Sequence, residues 1–383
     1  MRKLLLHINL LLIYFTIYGA ASAQETDDKS KSPVAFGLSY SGDLVNNYSG
    51  GLRKGTRYLG FAGLQITLNS EAAGLWKGGS LFINAINTHG GKPSGEFVGD
   101  YQGVSNIEAG NLTFLQELWY SQSVGNLNLF IGLQDLAASF AVSDYGALLL
   151  NGSFGTIPTL SHNIPAPVFP LATPGIQVHW NAAEKLSAKL ALFDGLPRDP
   201  SINPFNKSWQ LKPRDGIIAA AEIGLKNSFL PDYPGSYKAG VYFHKHSSYA
   251  GGNSGFPYDN NYGFYLLADQ MIWKGSGGKM FGAFLQSGFS PASKNENNMY
   301  LGAGINYTGI FQADGRDILG FGIAHASFSS SRKAETAFEI SYKLPLTENV
   351  FIQPDMQFII NPAGSETELK STAAAILRVG LNL

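Results

Sequence analysis

The chain ends in residues Ala334–Leu383, AETAFEISYKLPLTENVFIQPDMQFIINPAGSETELKSTAAAILRVGLNL, and this stretch decides the fold. Apolar and polar residues alternate in its segments 334–343, 349–359 and 371–383. In the first of them Phe338 and Ile340 share one face and Glu339 lies on the other. Successive strand side chains point to opposite sides, so the stretch predicts three strands, each with one apolar and one polar face.

The same alternation runs backwards through most of the chain and predicts sixteen strands. Most of them are about ten residues long, the length with which a tilted strand crosses a bilayer. The other thirteen are 34–41, 57–69, 79–88, 112–122, 127–134, 174–181, 186–194, 216–226, 236–244, 262–273, 279–289, 299–309 and 318–327. In the strand 112–122 Glu117 and Trp119 share a face, so the pattern leaves open which side of that strand is wet.

The connections between these strands alternate in length. All those longer than ten residues follow odd-numbered strands, at 42–56, 89–111, 135–173, 195–215, 245–261 and 360–370. Outer-membrane barrels show this parity, with long extracellular loops and short periplasmic turns, whereas a sandwich or propeller gives no reason for it. We therefore predict residues 34–383 to form an all-β, transmembrane antiparallel β-barrel, with residues 24–33 as a flexible lead-in.

The N-terminus and the composition agree with an exported barrel. Arg2 and Lys3 precede the apolar stretch 4–18, and Ala21-Ser22-Ala23 offers a small-residue cleavage site, so residues 1–23 predict a signal peptide rather than a membrane anchor. Charged residues make up 14% of the chain, against about 25% in ordinary soluble domains. There is no cysteine, and a net charge of −1 argues against nucleic acid as a partner.

The polar faces predict a wet interior. They carry Lys, Arg, His, Glu and Asp, which are too costly to bury unpaired in a dry core. On the strand 127–134 Phe130 and Gln134 face this interior, while Leu129 and Ile131 face lipid. About sixteen strands leave an aqueous channel, unlike eight. The sequence therefore predicts a water-filled barrel in contact with outer-membrane lipid.

Catalytic motifs are absent from the sequence, and two pairs of residues invite a chemical interpretation. His244 and His246 share a side of an extended segment and could hold a metal, or they are simply polar residues where a strand meets a loop. Glu335 and Glu339 could be an acid–base pair, but four strand residues separate them by roughly 13 Å, so lining of the lumen explains them better. We predict no enzyme activity, no metal and no cofactor.

The connection 135–173 is the main functional candidate. It carries only two charged residues, Asp135 and Asp144, and many apolar ones, which it can bury only by folding into the barrel or over its mouth. Its aromatic rings, amides and hydroxyls suit sugars, which offer CH faces and hydroxyl groups. The alternative is that this third long loop merely seals or braces the barrel.

Several segments resemble the carbohydrate-selective porins of the OprB family. The segment 353–362, QPDMQFIINP, is the most specific, and Glu339 and Tyr342 precede it. The similarity spans most of the chain and includes 40–44 YSGDL with Asn47 and 50–51 GG, 105–110 SNIEAG, 115–119 LQELW, 151–155 NGSFG with Pro158, and 169–170 FP with Gly175.

This resemblance implies a sixteen-stranded barrel that passes sugars by diffusion through a constriction of arginines and acidic residues. The chain departs from that pattern in several places. It has few arginines, with Arg53, Arg57, Arg214 and Arg378 as those plausibly near the pore. Leu115 stands where a basic residue is expected, and the chain ends on Leu383 rather than an aromatic residue.

We therefore predict a passive outer-membrane channel for sugars and similar small neutral solutes, in a Gram-negative bacterium. A homo-oligomer is compatible with this type of channel, but no segment marks a subunit interface. Three rivals are a general diffusion pore, a barrel enzyme and a plugged structural barrel. The predicted pore-lining or sugar-contacting residues are Glu117, Asn151, Phe154, Arg214, Glu339, Gln353, Asp355 and Arg378.

Overall fold

A computed structural model describes residues 32–198, 200, 202–230, 232–246, 260–312, 315–329, 332–364 and 369–383. The predicted signal peptide and most of the predicted lead-in lie outside the described residues. Within the described ranges, no helix is long and apolar enough to span a membrane.

The strands form one closed antiparallel barrel, in which each strand pairs with its neighbours in sequence and β1 pairs with β16. Closure leaves the sheet without a first or a last strand. The sixteen predicted strands are confirmed, with these bounds: β1 Val34–Ser49, β2 Gly55–Asn69, β3 Gly79–Gly90, β4 Leu112–Val124, β5 Leu127–Gln134, β6 Thr173–Ala183, β7 Leu186–Asp194, β8 Ile217–Leu230, β9 Tyr233–Lys245, β10 Asn260–Lys274, β11 Met280–Phe289, β12 Asn297–Thr308, β13 Ile318–Phe328, β14 Glu335–Pro345, β15 Val350–Ile360 and β16 Thr372–Asn382.

The two faces of the wall differ as the alternation predicts. On β15 the Met356 side chain is 52% exposed on the outside, whereas Gln357 beside it is 2% exposed on the inside. On β14 Ile340 is exposed and Glu339 is buried. Apolar residues therefore cover the outer surface, and polar residues line the interior.

Two details differ from the prediction. The predicted long connection 42–56 is mostly strand, because β1 continues to Ser49 and pairs with β2 as far as Asn47 opposite Gly55. The hydrogen bonds between β1 and β2 are made by backbone groups, so the polar side chains of this segment do not end the strand. The ambiguous register of β4 has a physical cause: a β-bulge opposite Asn84 and Ala85 turns both Gln116 and Glu117 inward.

The longest connection, 135–172, leaves the wall before reaching the rim of the barrel, because β5 is short and ends at Gln134. It contains only short helical turns and packs against the interior of the barrel. These turns are Leu136–Ala138, Gly146–Leu148, α1 Gly152–Gly155 and α2 Pro158–Ser161; other turns lie at Ser94–Val98, Pro213–Asp215 and Pro362–Gly364.

Candidate functional site

The connection 135–172 is fixed to the inner wall by carboxylates of the strands. Asp269 on β10 accepts hydrogen bonds from the Ser143 hydroxyl at 2.6 Å and the Tyr145 backbone N–H at 3.0 Å. Glu222 on β8 accepts from the backbone N–H of Ala141 at 3.0 Å. Bonds to a charged acceptor are stronger than neutral ones, so these side chains hold the loop inside the barrel.

Glu339 and the segment around Asn151 form the next anchor. The Glu339 carboxylate accepts from the backbone N–H of Leu150 and, at 3.0 Å, from that of Asn151. The Asn151 side chain caps α1 and donates to Gln357 Oε1 at 3.2 Å. Phe154 is fully buried, with its ring centre 5.7 Å from that of Phe284. Three predicted site residues thus meet at one contact between loop and wall.

Two further predicted residues of β15 support the same region. Gln353 donates to the Leu148 carbonyl and to the Ser341 hydroxyl, both at 2.8 Å. Asp355 is 3% exposed, and its Oδ1 accepts from Gln357 at 3.2 Å. Gln353 therefore binds the loop, whereas Asp355 contacts its neighbour Gln357 on the wall. A direct contact with a sugar stays a prediction for both.

The connection 91–111 also enters the barrel and is held by an ion pair. Arg378 on β16 donates two hydrogen bonds to Asp43 on β1, at 2.7 and 2.8 Å, and both side chains are buried. Ser105 donates to the same carboxylate at 2.7 Å, and Arg378 donates to Asn106 Oδ1 at 2.8 Å. The pair therefore joins two strands to this second infolded connection.

A cavity of about 360 Å³ lies in the half of the barrel from which the short connections leave. We name it the inner cavity. Aromatic rings of Phe61, Phe82, Trp119 and Phe130 line it together with Gln65, Asn84, Gln116, Gln134 and Gln177, and its acidic lining residues are Glu117 and Asp135. Its volume falls at the lower end of the range of small-molecule sites, roughly 300–1,000 Å³.

The rings form a row along the wall. The ring centres of Phe82 and Trp119 are 4.8 Å apart and stacked, and that of Phe130 lies 5.3 Å from Trp119. His179 continues the row, 4.7 Å from Phe130. Glu117 holds one end of Trp119, because the indole N–H donates to its carboxylate at 3.1 Å. We call Phe82, Trp119, Phe130 and His179 the aromatic row.

A second cavity, of about 430 Å³, lies between the two infolded connections, and we name it the outer cavity. Asp100, Glu108 and His162 are among its lining residues, and Phe169 borders both cavities. Burial raises the pKa of Glu108 to about 7 and that of Asp100 to about 6, and it lowers the pKa of His162 to about 4. Among the described residues that line the two cavities there is no lysine or arginine.

The structure thus separates the predicted site residues into groups. Glu117 lines the inner cavity, whereas Arg214 lies in the exposed turn Pro213–Asp215 and lines neither cavity. The other six are buried where the infolded connections meet the wall. Phe61 and Phe82 of the inner cavity are missing from the prediction, although their inward positions on β2 and β3 could be read from the alternation.

The two alternative chemical sites gain no support. His244 and His246 have stacked rings 5.1 Å apart, and within the described ranges no group of three metal-binding side chains occurs. Glu335 accepts from the backbone N–H groups of Tyr101 and Gln102 at 2.8 and 3.0 Å, and Glu339 holds the other connection. Each carboxylate therefore fixes a different loop.

Residues 53–383 match the model of the family described as carbohydrate-selective porin, OprB family. The chain belongs to this family. Its porins are channels rather than enzymes, and they and their barrel fold are characteristic of the Gram-negative outer membrane. The chain is accordingly an outer-membrane sugar porin, as the sequence predicts.

Solved structures agree on the fold. The high-pH structure of OprB from Pseudomonas putida is 19% identical with a TM-score of 0.80, covering 92% of this chain and 94% of that one. The low-pH structure of the same protein gives 16% identity and a TM-score of 0.60, over 92% and 93%. OmpT of Vibrio cholerae, in a trimer form, gives 11% and 0.52, over 91% and 99%. No curated protein matches the chain.

Proposed function

We propose that carbohydrates diffuse passively through the outer cavity, past Phe169, and through the inner cavity, where they bind weakly to the aromatic row. The row is the observation that supports this pathway. The CH faces of a sugar pack on rings, while the surrounding amides of Gln65, Asn84 and Gln134 can bond its hydroxyl groups. A conducting site has to bind weakly enough to release its solute.

The proposal is tested with Trp119→Ala in planar bilayers. Sugar block of the single-channel current is expected to weaken about tenfold, or ~1.4 kcal/mol, because the variant removes the central ring of the row. Trp180→Ala is the matched control, since Trp180 is 49% exposed on the outer face of β6. Equal block in wild type and Trp119→Ala would show that the sugar does not bind to the aromatic row, and absence of conductance in both would contradict the proposed pathway.

We also propose that the pathway favours cations over anions. The described residues that line the two cavities include four carboxylates, those of Asp100, Glu108, Glu117 and Asp135, and no lysine or arginine. Rings of acidic side chains give channels cation selectivity, so this excess supports entry of neutral and cationic sugars over anionic ones.

Cation selectivity is expected to fall as the pH is lowered from about 8 to about 5. A carboxyl group is charged above its pKa, and the raised pKa values of Glu108, near 7, and Asp100, near 6, place their neutralisation in this window. Reversal potentials in a KCl gradient measure the change. Glu108→Gln is expected to flatten the pH response, whereas Glu71→Gln, on an exposed turn, leaves it as in wild type. An anion-selective pore at pH 8 contradicts the proposal.

Association into a homo-oligomer also stays a prediction, and the mass of the detergent-solubilised protein by light scattering tests it.

A further inference from the structure

The described part of the connection 195–216 completes the barrel wall above the short strand β5. β5 ends at Gln134, so the upper edge of β4 lacks a partner strand beyond the pair Leu118–Leu133. Phe205 fills this place: it forms a parallel bridge with Phe114, and its carbonyl accepts from the Leu115 N–H at 3.1 Å. The connection is therefore part of the wall at the end of the barrel from which the long connections leave.

Internal hydrogen bonds and an ion pair hold the connection in shape. Asn203 donates to Asn206 Oδ1 at 3.0 Å and to the Ser208 carbonyl at 2.9 Å. The indole N–H of Trp209 donates to the Asn206 carbonyl at 2.8 Å. Arg198 forms an ion pair with the buried Asp215. The segment thus presents a defined surface.

That surface is apolar to an unusual degree for a loop. The side chains of Ile202, Phe205, Trp209 and Leu211 are 79%, 56%, 40% and 70% exposed. The neighbouring strands β7 and β8 carry exposed apolar residues up to the ends of this connection, including Leu192 and Ile217. Large exposed apolar patches mark interaction sites, and this one continues the lipid-facing band of the barrel.

Cations accompany these apolar side chains. Lys207 and Arg214 are exposed and Lys212 is half-buried, and the Lys207 ammonium lies 5.8 Å from the centre of the Phe205 ring. Among the described residues of the connection, Asp215 is the only acidic one; it is buried, forms an ion pair with Arg198 and lies 4.0 Å from the Arg214 guanidinium. The accessible charge of the patch is therefore positive.

We propose that this connection is a binding site for a membrane lipid with a phosphomonoester headgroup. Its acyl chains would pack on Ile202, Phe205 and Leu211, and its phosphate would bind Lys207, Lys212 and Arg214. A lipid is favoured over a protein partner for two reasons. Its acyl chains match the apolar side chains, which continue the lipid-facing band, and its anionic headgroup matches the basic ones. Basic residues beside an apolar surface bind anionic lipids in this way.

The test is lipid retention by the purified full-length porin in detergent, measured by native mass spectrometry with lipid A as the probe. The variant Lys207→Gln/Lys212→Gln/Arg214→Gln is expected to bind lipid A roughly a hundredfold more weakly, because it loses the attraction of three basic residues to the anionic headgroup. The matched control is Lys77→Gln/Lys226→Gln/Lys274→Gln, three exposed lysines at the opposite end of the barrel. Heat-modifiable gel mobility checks that both variants fold.

Each arm of the experiment decides the proposal. Phosphatidic acid is expected to compete with lipid A, and phosphatidylcholine and inorganic phosphate are not. Ile202→Ser/Leu211→Ser is expected to weaken lipid A binding as well. Equal retention by the two triple variants, full competition by inorganic phosphate, or a doubled protein mass in place of bound lipid would overturn the assignment.

Discussion

Arg378→Ala is expected to lower the free energy of unfolding by about 3–5 kcal/mol, because it leaves the buried Asp43 carboxylate without its charged partner. Asp43 is fully buried, and Arg378 supplies two of its hydrogen bonds, at 2.7 and 2.8 Å. Urea unfolding of the barrel in lipid vesicles, followed by tryptophan fluorescence, measures the loss. Arg378→Lys keeps the charge but not the paired geometry, so we expect an intermediate loss.

The control for this prediction is Arg57→Ala. Arg57 also contacts a carboxylate, that of Glu96 at 2.7 Å, but its side chain is 43% exposed. Exposed ion pairs contribute little to stability, so its unfolding curve is expected to match wild type. If Arg378→Ala unfolds at the same urea concentration as Arg57→Ala, the buried pair does not stabilise the closure between β1 and β16.

Glu339→Gln is expected to release the middle of the infolded connection 135–172 and so to raise single-channel conductance severalfold. The Glu339 carboxylate accepts hydrogen bonds from the backbone N–H groups of Leu150 and Asn151. Glutamine replaces one of its two acceptor oxygens by an NH₂ group, so that a donor would face a donor. Hydrogen bonds to a charged group contribute about 1.5–3 kcal/mol each, and the released segment would leave the lumen wider. Conductance and sugar block in planar bilayers are measured together. A wider lumen is expected to raise the conductance and to weaken sugar block, because the sugar then makes fewer contacts with the wall.

Glu348→Gln is the matched control, because Glu348 is exposed on the short connection between β14 and β15. Its conductance is expected to equal that of wild type. Gln357→Leu provides a second variant at the same anchor, since Gln357 accepts from Asn151 and donates to the Val104 carbonyl at 2.8 Å. Unchanged conductance in both Glu339→Gln and Gln357→Leu would show that wall contacts other than these set the position of the loop.

The alternation of side chains predicted the barrel because it is a local property of the chain. Two neighbouring residues such as Met356 and Gln357 reveal a two-faced strand without any knowledge of distant contacts. The first connection was predicted too long, because Asn46 and Asn47 look like loop residues although their backbones stay paired with β2. Glu117 was ambiguous for a similar reason, since a β-bulge breaks the alternation on which the prediction depends.

The candidate site was predicted only in part. Glu339, Asp355 and Arg378 were identified as inward-facing, and the structure places them inside. Their partners, however, lie far away in sequence: Arg378 meets Asp43 across the barrel closure, and Glu339 meets Leu150. No local pattern carries such pairings, so the anchoring of the loops could not be foreseen from the sequence.

Period-two alternation and loop length are local properties of the chain, so the amino-acid sequence is enough to predict a two-faced barrel with a long apolar connection to bury. Which inward carboxylates hold the infolded connections, and which side chains remain around the cavities, is settled only in the folded protein. Those choices depend on register and on bulges, which bring Trp119, Phe82 and Phe130 from three different strands into one row. A row of this kind exists only after the wall has closed.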